Sequence, residues 1–105
     1  MPTQQQIERF TLVFHQEALK RLVRDPALRA QALQVLDRWE ANGLSSSGQP
    51  YRDEWRQLLA ADQEALFKAL CSDVEHAATL RSMSPLGFLL DDAERAGLRR
   101  EAMAA

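Results

Sequence analysis

Few residues in this chain have the chemistry to act on another molecule, and His15, His76 and Cys71 are the first to weigh. A histidine on a helical bundle can accept a phosphoryl group, but that arrangement places a lysine three residues on, followed by glycine and small residues. Here Gln16, Glu17, Ala18 and Leu19 follow instead. His15 therefore reads as a boundary histidine bonded to backbone or to a nearby acid, and His76 as an exposed helix residue. Cys71, beside Ser72, needs a base and a polar cleft to become a nucleophile, and it reads as a small buried apolar residue. The carboxylates of Asp53, Glu54, Asp62, Glu64, Asp73 and Glu75 fall at helix starts and turns, where they serve as caps and solubilising charge. No phosphate-binding loop, dinucleotide fingerprint, nucleophile elbow, zinc-protease helix or calcium loop occurs. The expectation is a protein with no catalytic residue, no cofactor and no metal.

The 105 residues suffice for one modest core. With 46% hydrophobic and 27% charged residues, the chain has a globular composition. A net charge of -2 argues against a broad nucleic-acid surface. A single cysteine cannot form an internal disulfide and fits a reducing compartment. The N-terminus lacks a signal-peptide pattern, and no apolar run approaches the ~20 residues that span a bilayer. A cytoplasmic protein without membrane contact is expected.

The elements that hold these residues read as helices. Four glycines and four prolines against abundant Ala, Leu, Arg, Glu and Gln favour that outcome. Ile7, Phe10, Phe14, Ala18 and Leu22 recur at three- and four-residue intervals over 4–24, with Leu12, Leu19 and Val23 on the flank. Asp25 and Pro26 predict the start of a second helix reaching Ala41, with Leu28, Ala32, Val35, Leu36 and Trp39 inward and Asn42-Gly43 as its stop. A flexible loop is predicted over 43–50. Tyr51, Trp55, Leu58 and Leu59 mark a third helix, and Asp62 caps a fourth carrying Leu66, Phe67 and Leu70. Ser72 and Glu75 match a capping box for a helix from Asp73 to Arg81 that buries Val74, Ala77, Ala78 and Leu80. Residues 63–81 fit either one kinked helix or two short ones. Asp91 or Asp92 caps a last helix through Glu101, leaving 101–105 loose. The sum is an all-α, single-domain bundle of five to six short helices.

Two binding surfaces follow. The stretch SMSPLGFLLDD, residues 82–92, gathers apolar side chains outside a clean helical period. It is either a lid over the core or a handle for a partner protein through Leu86, Phe88, Leu89, Arg81 and Met83. The alternative is a small DNA-binding regulator that uses Arg24, Arg29, Gln31 and Gln34. A homodimer closed by the aromatic face is a third arrangement.

The stretches FHQEALKRL, DPALRAQALQVLDRW, DEWRQLLA and LRSMSPLGFLL together resemble small all-helical, antitoxin-like proteobacterial proteins of unassigned chemistry. The likeness covers residues 10–100. It implies a folded body that binds and neutralises a partner protein, such as a toxin encoded nearby, with a second role at its own operator DNA. It transfers no catalytic residue.

Overall fold

The computed structural model describes residues 3–43 and 48–104. They form six α-helices, with a short 3-10 turn before the last helix and no strand. The helices are α1 (Gln4–Arg24), α2 (Leu28–Ala41), α3 (Gln49–Ala60), α4 (Gln63–Cys71), α5 (Glu75–Ser82) and α6 (Asp92–Ala104). The turn is Gly87–Leu89. The Cα radius of gyration is 13.7 Å, close to the ~13 Å of a compact chain of 100 residues.

α1 organises the bundle because its apolar arc is wide enough for several neighbours. It packs on α4, α5 and α6, while α2 packs on α3 and α3 on α4. Its start is fixed by a capping box: Gln6 N–H donates to the Thr3 hydroxyl at 3.1 Å, and Thr3 N–H donates to the Gln6 side chain at 2.9 Å. Arg21 and Arg24 in its last turn complement the helix dipole. Phe14, Ala18, Leu19 and Leu22 lie in the core with Leu36, Trp55, Leu66, Leu70 and Leu80. Ile7, predicted on that face, and Val23, predicted on its flank, are exposed because they lie towards the ends of α1.

Several boundaries differ from expectation. Asp25-Pro26-Ala27 is a turn closed by i→i+3 bonds from Leu28, Arg29 and Ala30, so α2 begins two residues late. Residues 44–47 of the predicted loop lie outside the described residues, whereas Gln49 and Pro50 already belong to α3. Pro50 sits in the first turn, where its missing N–H costs no bond. Gly43 closes α2 at φ +76°, a conformation that favours glycine. Asp62 caps α4 as expected, accepting from Ala65 N–H at 2.8 Å. Ser72 ends α4 in extended conformation instead of starting α5, so residues 63–81 are two helices. Val74 and Phe67 stay exposed. Asp91 caps α6 in a second capping box with Glu94, and the helix runs on to Ala104 with Ala102 buried. Residues 101–104, expected to be loose, thus form the last turn of α6, anchored by Ala102.

Buried or half-buried arginines cap other helices. Arg29 donates to the carbonyls of Leu59 and Ala61 at 2.9 and 2.6 Å, closing the C-terminus of α3, and reaches the Gln63 side chain. Arg81 donates to the carbonyls of Leu70 and Ser72 at 2.6 and 3.4 Å, closing α4. A helix C-terminus presents unpaired carbonyls and partial negative charge, so a guanidinium satisfies both. Arg29→Ala should therefore destabilise the fold by about 2 kcal/mol, the scale of hydrogen bonds to a charged group. Arg24→Ala, at an exposed position, should change stability by under ~0.5 kcal/mol. Urea titrations of the two variants would check the contrast.

Candidate functional site

The stretch 82–92 resolves mainly as a lid. Leu86 is fully buried, Leu89 and Leu90 nearly so, and Arg81 is 8% exposed. Leu86 and Leu89 thus face the core, while Arg81 closes α4 through Nη1 and also lines the cavity beside it. Phe88 alone of the apolar group is turned outward, at 41% exposure. Met83 is half-buried, and its methyl would lie 3.0 Å from a Cβ added at Gly48. Arg21 pins the segment down, donating to the Leu89 carbonyl at 2.8 Å while pairing with Glu94. That pairing holds the Glu94 carboxyl below its usual range.

The alternative DNA-reading set is divided between exposed and committed side chains. Arg24, Gln31 and Gln34 are exposed, but the Arg29 guanidinium is committed to the end of α3. Spacing on α2 could not disclose this, because the carbonyls that take Arg29 are some thirty residues away in sequence.

What the lid does create is a cavity of about 200 Å³ between α1, the end of α5, the segment itself and α6. Phe10, Phe14, His15, Arg81, Arg95 and Arg99 line it. Phe10 and Phe14 stand one turn apart on α1, and Arg95 and Arg99 one turn apart on α6. The two helices run antiparallel, so the rows match. The Arg95 guanidinium carbon lies 5.5 Å from the Phe14 ring centre, and that of Arg99 4.8 Å from the Phe10 ring centre. Both distances fit cation–π attraction. Arg95 also donates to the Gly87 carbonyl. A Cβ at Gly87 would lie 3.1 Å from the Arg95 side chain, so glycine permits that approach.

No acidic residue lines the cavity. Among the described residues, the ion pairs involve other cations, and Arg81, Arg95 and Arg99 have no carboxylate within salt-bridge distance. Their gathering is not an excess of base, since the chain is net negative. The Nε–H groups of Arg81 and Arg95 are buried without a hydrogen-bond partner, a condition that costs free energy unless something satisfies it.

His15 forms the buried floor. Its Nδ1 lies 2.7 Å from the Thr11 carbonyl. A carbonyl only accepts, so Nδ1 carries the proton and the neutral ring leaves a lone pair on Nε2. That Nε2 is buried and has no partner. Burial lowers the His15 pKa to about 4, and the Arg81 charge adds to the effect against the Thr11 bond. In the unfolded chain the imidazole titrates near ~6.5. Between those values the unfolded state binds more protons, so stability falls as pH drops from ~6.5 towards 4 and levels below it. The loss attributable to His15 should be about 3 kcal/mol, from ~1.4 kcal/mol per pKa unit. Urea titrations of wild type and His15→Gln at pH 7, 5.5 and 4 would show it as a flatter pH dependence in the variant.

The other sequence candidates have separate surroundings. His76 is exposed and its Nε2 meets the Glu54 carboxylate at 2.7 Å. Cys71 is half-buried, and burial pushes its thiol up, opposed by Arg81. A thiol so placed is protonated at neutral pH and weakly nucleophilic. Among the described residues, no group of three or more His, Cys, Asp or Glu side chains is placed to hold a metal ion. No described helix is long and apolar enough to cross a membrane.

Fold and site together define a compact all-α bundle with a cationic, aromatic-walled cavity. No protein-family model, curated protein or solved structure matches the chain. The cavity escaped sequence reasoning because its residues come from four separate stretches. The signal available in sequence was a matched pair of i, i+4 repeats: Phe10 and Phe14, and Arg95 and Arg99.

Proposed function

We propose that this chain is a non-catalytic binding module that captures and neutralises a partner protein, in the manner of an antitoxin, through the cationic face where α1, α5 and α6 meet. The observation that carries the reading is the set of three arginines around an aromatic-walled opening without a counter-charge. Such a set attracts an acidic partner over distance and gives it an aromatic floor on contact. The cavity offers no paired acid and base and no activated nucleophile, so binding is the chemistry it supports.

The test is co-purification at native expression, comparing tagged wild type with Arg95→Glu/Arg99→Glu checked for retained helicity. The expected result is one stoichiometric protein that is lost with the variant, and that arrests growth when expressed without this chain. Retention of the same protein by the folded variant would overturn the assigned face. A captured protein that leaves growth unaffected would overturn neutralisation. Binding to operator DNA that weakens steeply with salt would move the reading to a DNA-binding regulator.

A further inference from the structure

The cavity's arginines and phenylalanines together specify more than negative charge. We infer that it receives the C-terminal carboxylate of the partner protein, with the last residue's apolar side chain set against Phe10 and Phe14. This deepens the partner-binding reading and rests on it.

Size gives the first reason. About 200 Å³ falls below the ~300–1,000 Å³ of pockets that enclose a drug-sized ligand. It takes the end of a longer ligand whose remainder lies outside. Charge gives the second, because Arg81, Arg95 and Arg99 converge without a carboxylate of their own. Among the described residues Arg99 donates to no acceptor and Arg95 only to the Gly87 carbonyl, so guanidinium N–H groups remain for the two acceptor oxygens of an ionised carboxylate.

The third reason separates a carboxylate terminus from a phosphate. Phe10 and Phe14 wall the same opening as the arginines. A phosphate is polar on every side and leaves those rings without an apolar partner. A peptide terminus presents its carboxylate and, on the adjoining Cα, the side chain of its last residue. One group answers the arginines and the other answers the phenylalanines. Held this way, the terminus neutralises cationic charge that the fold leaves uncompensated.

The experiment uses the full chain and four probes: acetyl-Ala-Ala-Leu with a free carboxylate, the same peptide as its carboxamide, 4-methylpentanoate, and inorganic phosphate. Binding is followed by NMR titration of the full-length protein. The free-carboxylate peptide should bind with shifts around His15, Gly87 and Arg95, and the carboxamide at least tenfold more weakly. The 4-methylpentanoate probe, which keeps the carboxylate and the apolar chain but lacks the rest of the peptide, should bind the same site several-fold more weakly. Arg99→Gln, at an exposed position, and Arg95→Gln should each weaken the peptide about tenfold. Equal binding of carboxamide and carboxylate, phosphate binding tighter than the peptide, or no binding of the peptide at all would each overturn the inference.

The two readings fail separately. If a partner co-purifies but truncating its last residue leaves capture unchanged, the terminus is not the anchor and the partner-binding reading stands. If the peptide binds and no partner is captured, the cavity is a carboxylate receptor and the neutralising role falls.

Discussion

Leu86→Ala should cost about 2–5 kcal/mol of folding free energy, the range for removing a buried leucine and leaving a cavity. Leu86 is fully enclosed, although it lies in a segment with no regular helix of its own. Against a total of ~5–15 kcal/mol for a domain, that loss is large. Leu86→Asp should go further and prevent folding, since an unpaired carboxylate would enter an apolar interior. Phe88→Ala, two residues on but 41% exposed, should cost about 1 kcal/mol, in proportion to the side chain that is buried. The check is a set of urea titrations at pH 7 followed by circular dichroism. Equal effects at Leu86 and Phe88 would mean that the segment does not close the core. A selective effect at Leu86 identifies the segment as a lid that holds Gly87 and Arg95 in place.

Trp55→Ala should cost about 3–5 kcal/mol. Trp55 is fully buried and is the largest such side chain among the described residues. Its indole N–H donates to the Leu80 carbonyl at 3.0 Å, tying α3 to α5, and its ring faces His15 at 6.3 Å between centres. Trp55→Phe should cost only about 1–2 kcal/mol, because phenylalanine restores most of the volume and the Leu80 carbonyl still accepts from Met83 N–H. Thermal unfolding of the two variants distinguishes volume from hydrogen bonding: near-equal losses would show the bond dominating. The contact with His15 gives a second readout. An unpacked Trp55 site admits water beside the imidazole, so the His15 pKa should rise from about 4 towards its ordinary value.

Helix content was legible in the sequence because it depends on neighbours within one turn. The Asp62 and Asp91 caps and the Asn42-Gly43 stop each join residues no more than a few positions apart; the Thr3–Gln6 capping box is as local, and sequence reasoning missed it. The wide apolar arc of α1 was legible for the same reason, as was the limit of one cysteine and near-balanced charge. The failures are also local in origin. Ser72 and Glu75 satisfy the spacing of a capping box, but the chain ends α4 at Ser72, where Arg81 comes to close its carbonyls.

Tertiary structure alone decided what the arginines do. Arg24 and Arg29 look alike in sequence, yet one faces solvent and the other ends α3. Arg81, expected to meet a partner, seals α4 and also lines the cavity that Arg95 and Arg99 frame. A guanidinium on a long flexible stem takes its role from whatever carbonyl, ring or carboxylate lies within its reach. Periodicity along the chain establishes which residues share a helix face. Only the antiparallel pairing of α1 with α6, which sets Arg95 over Phe14 and Arg99 over Phe10, establishes which face meets which.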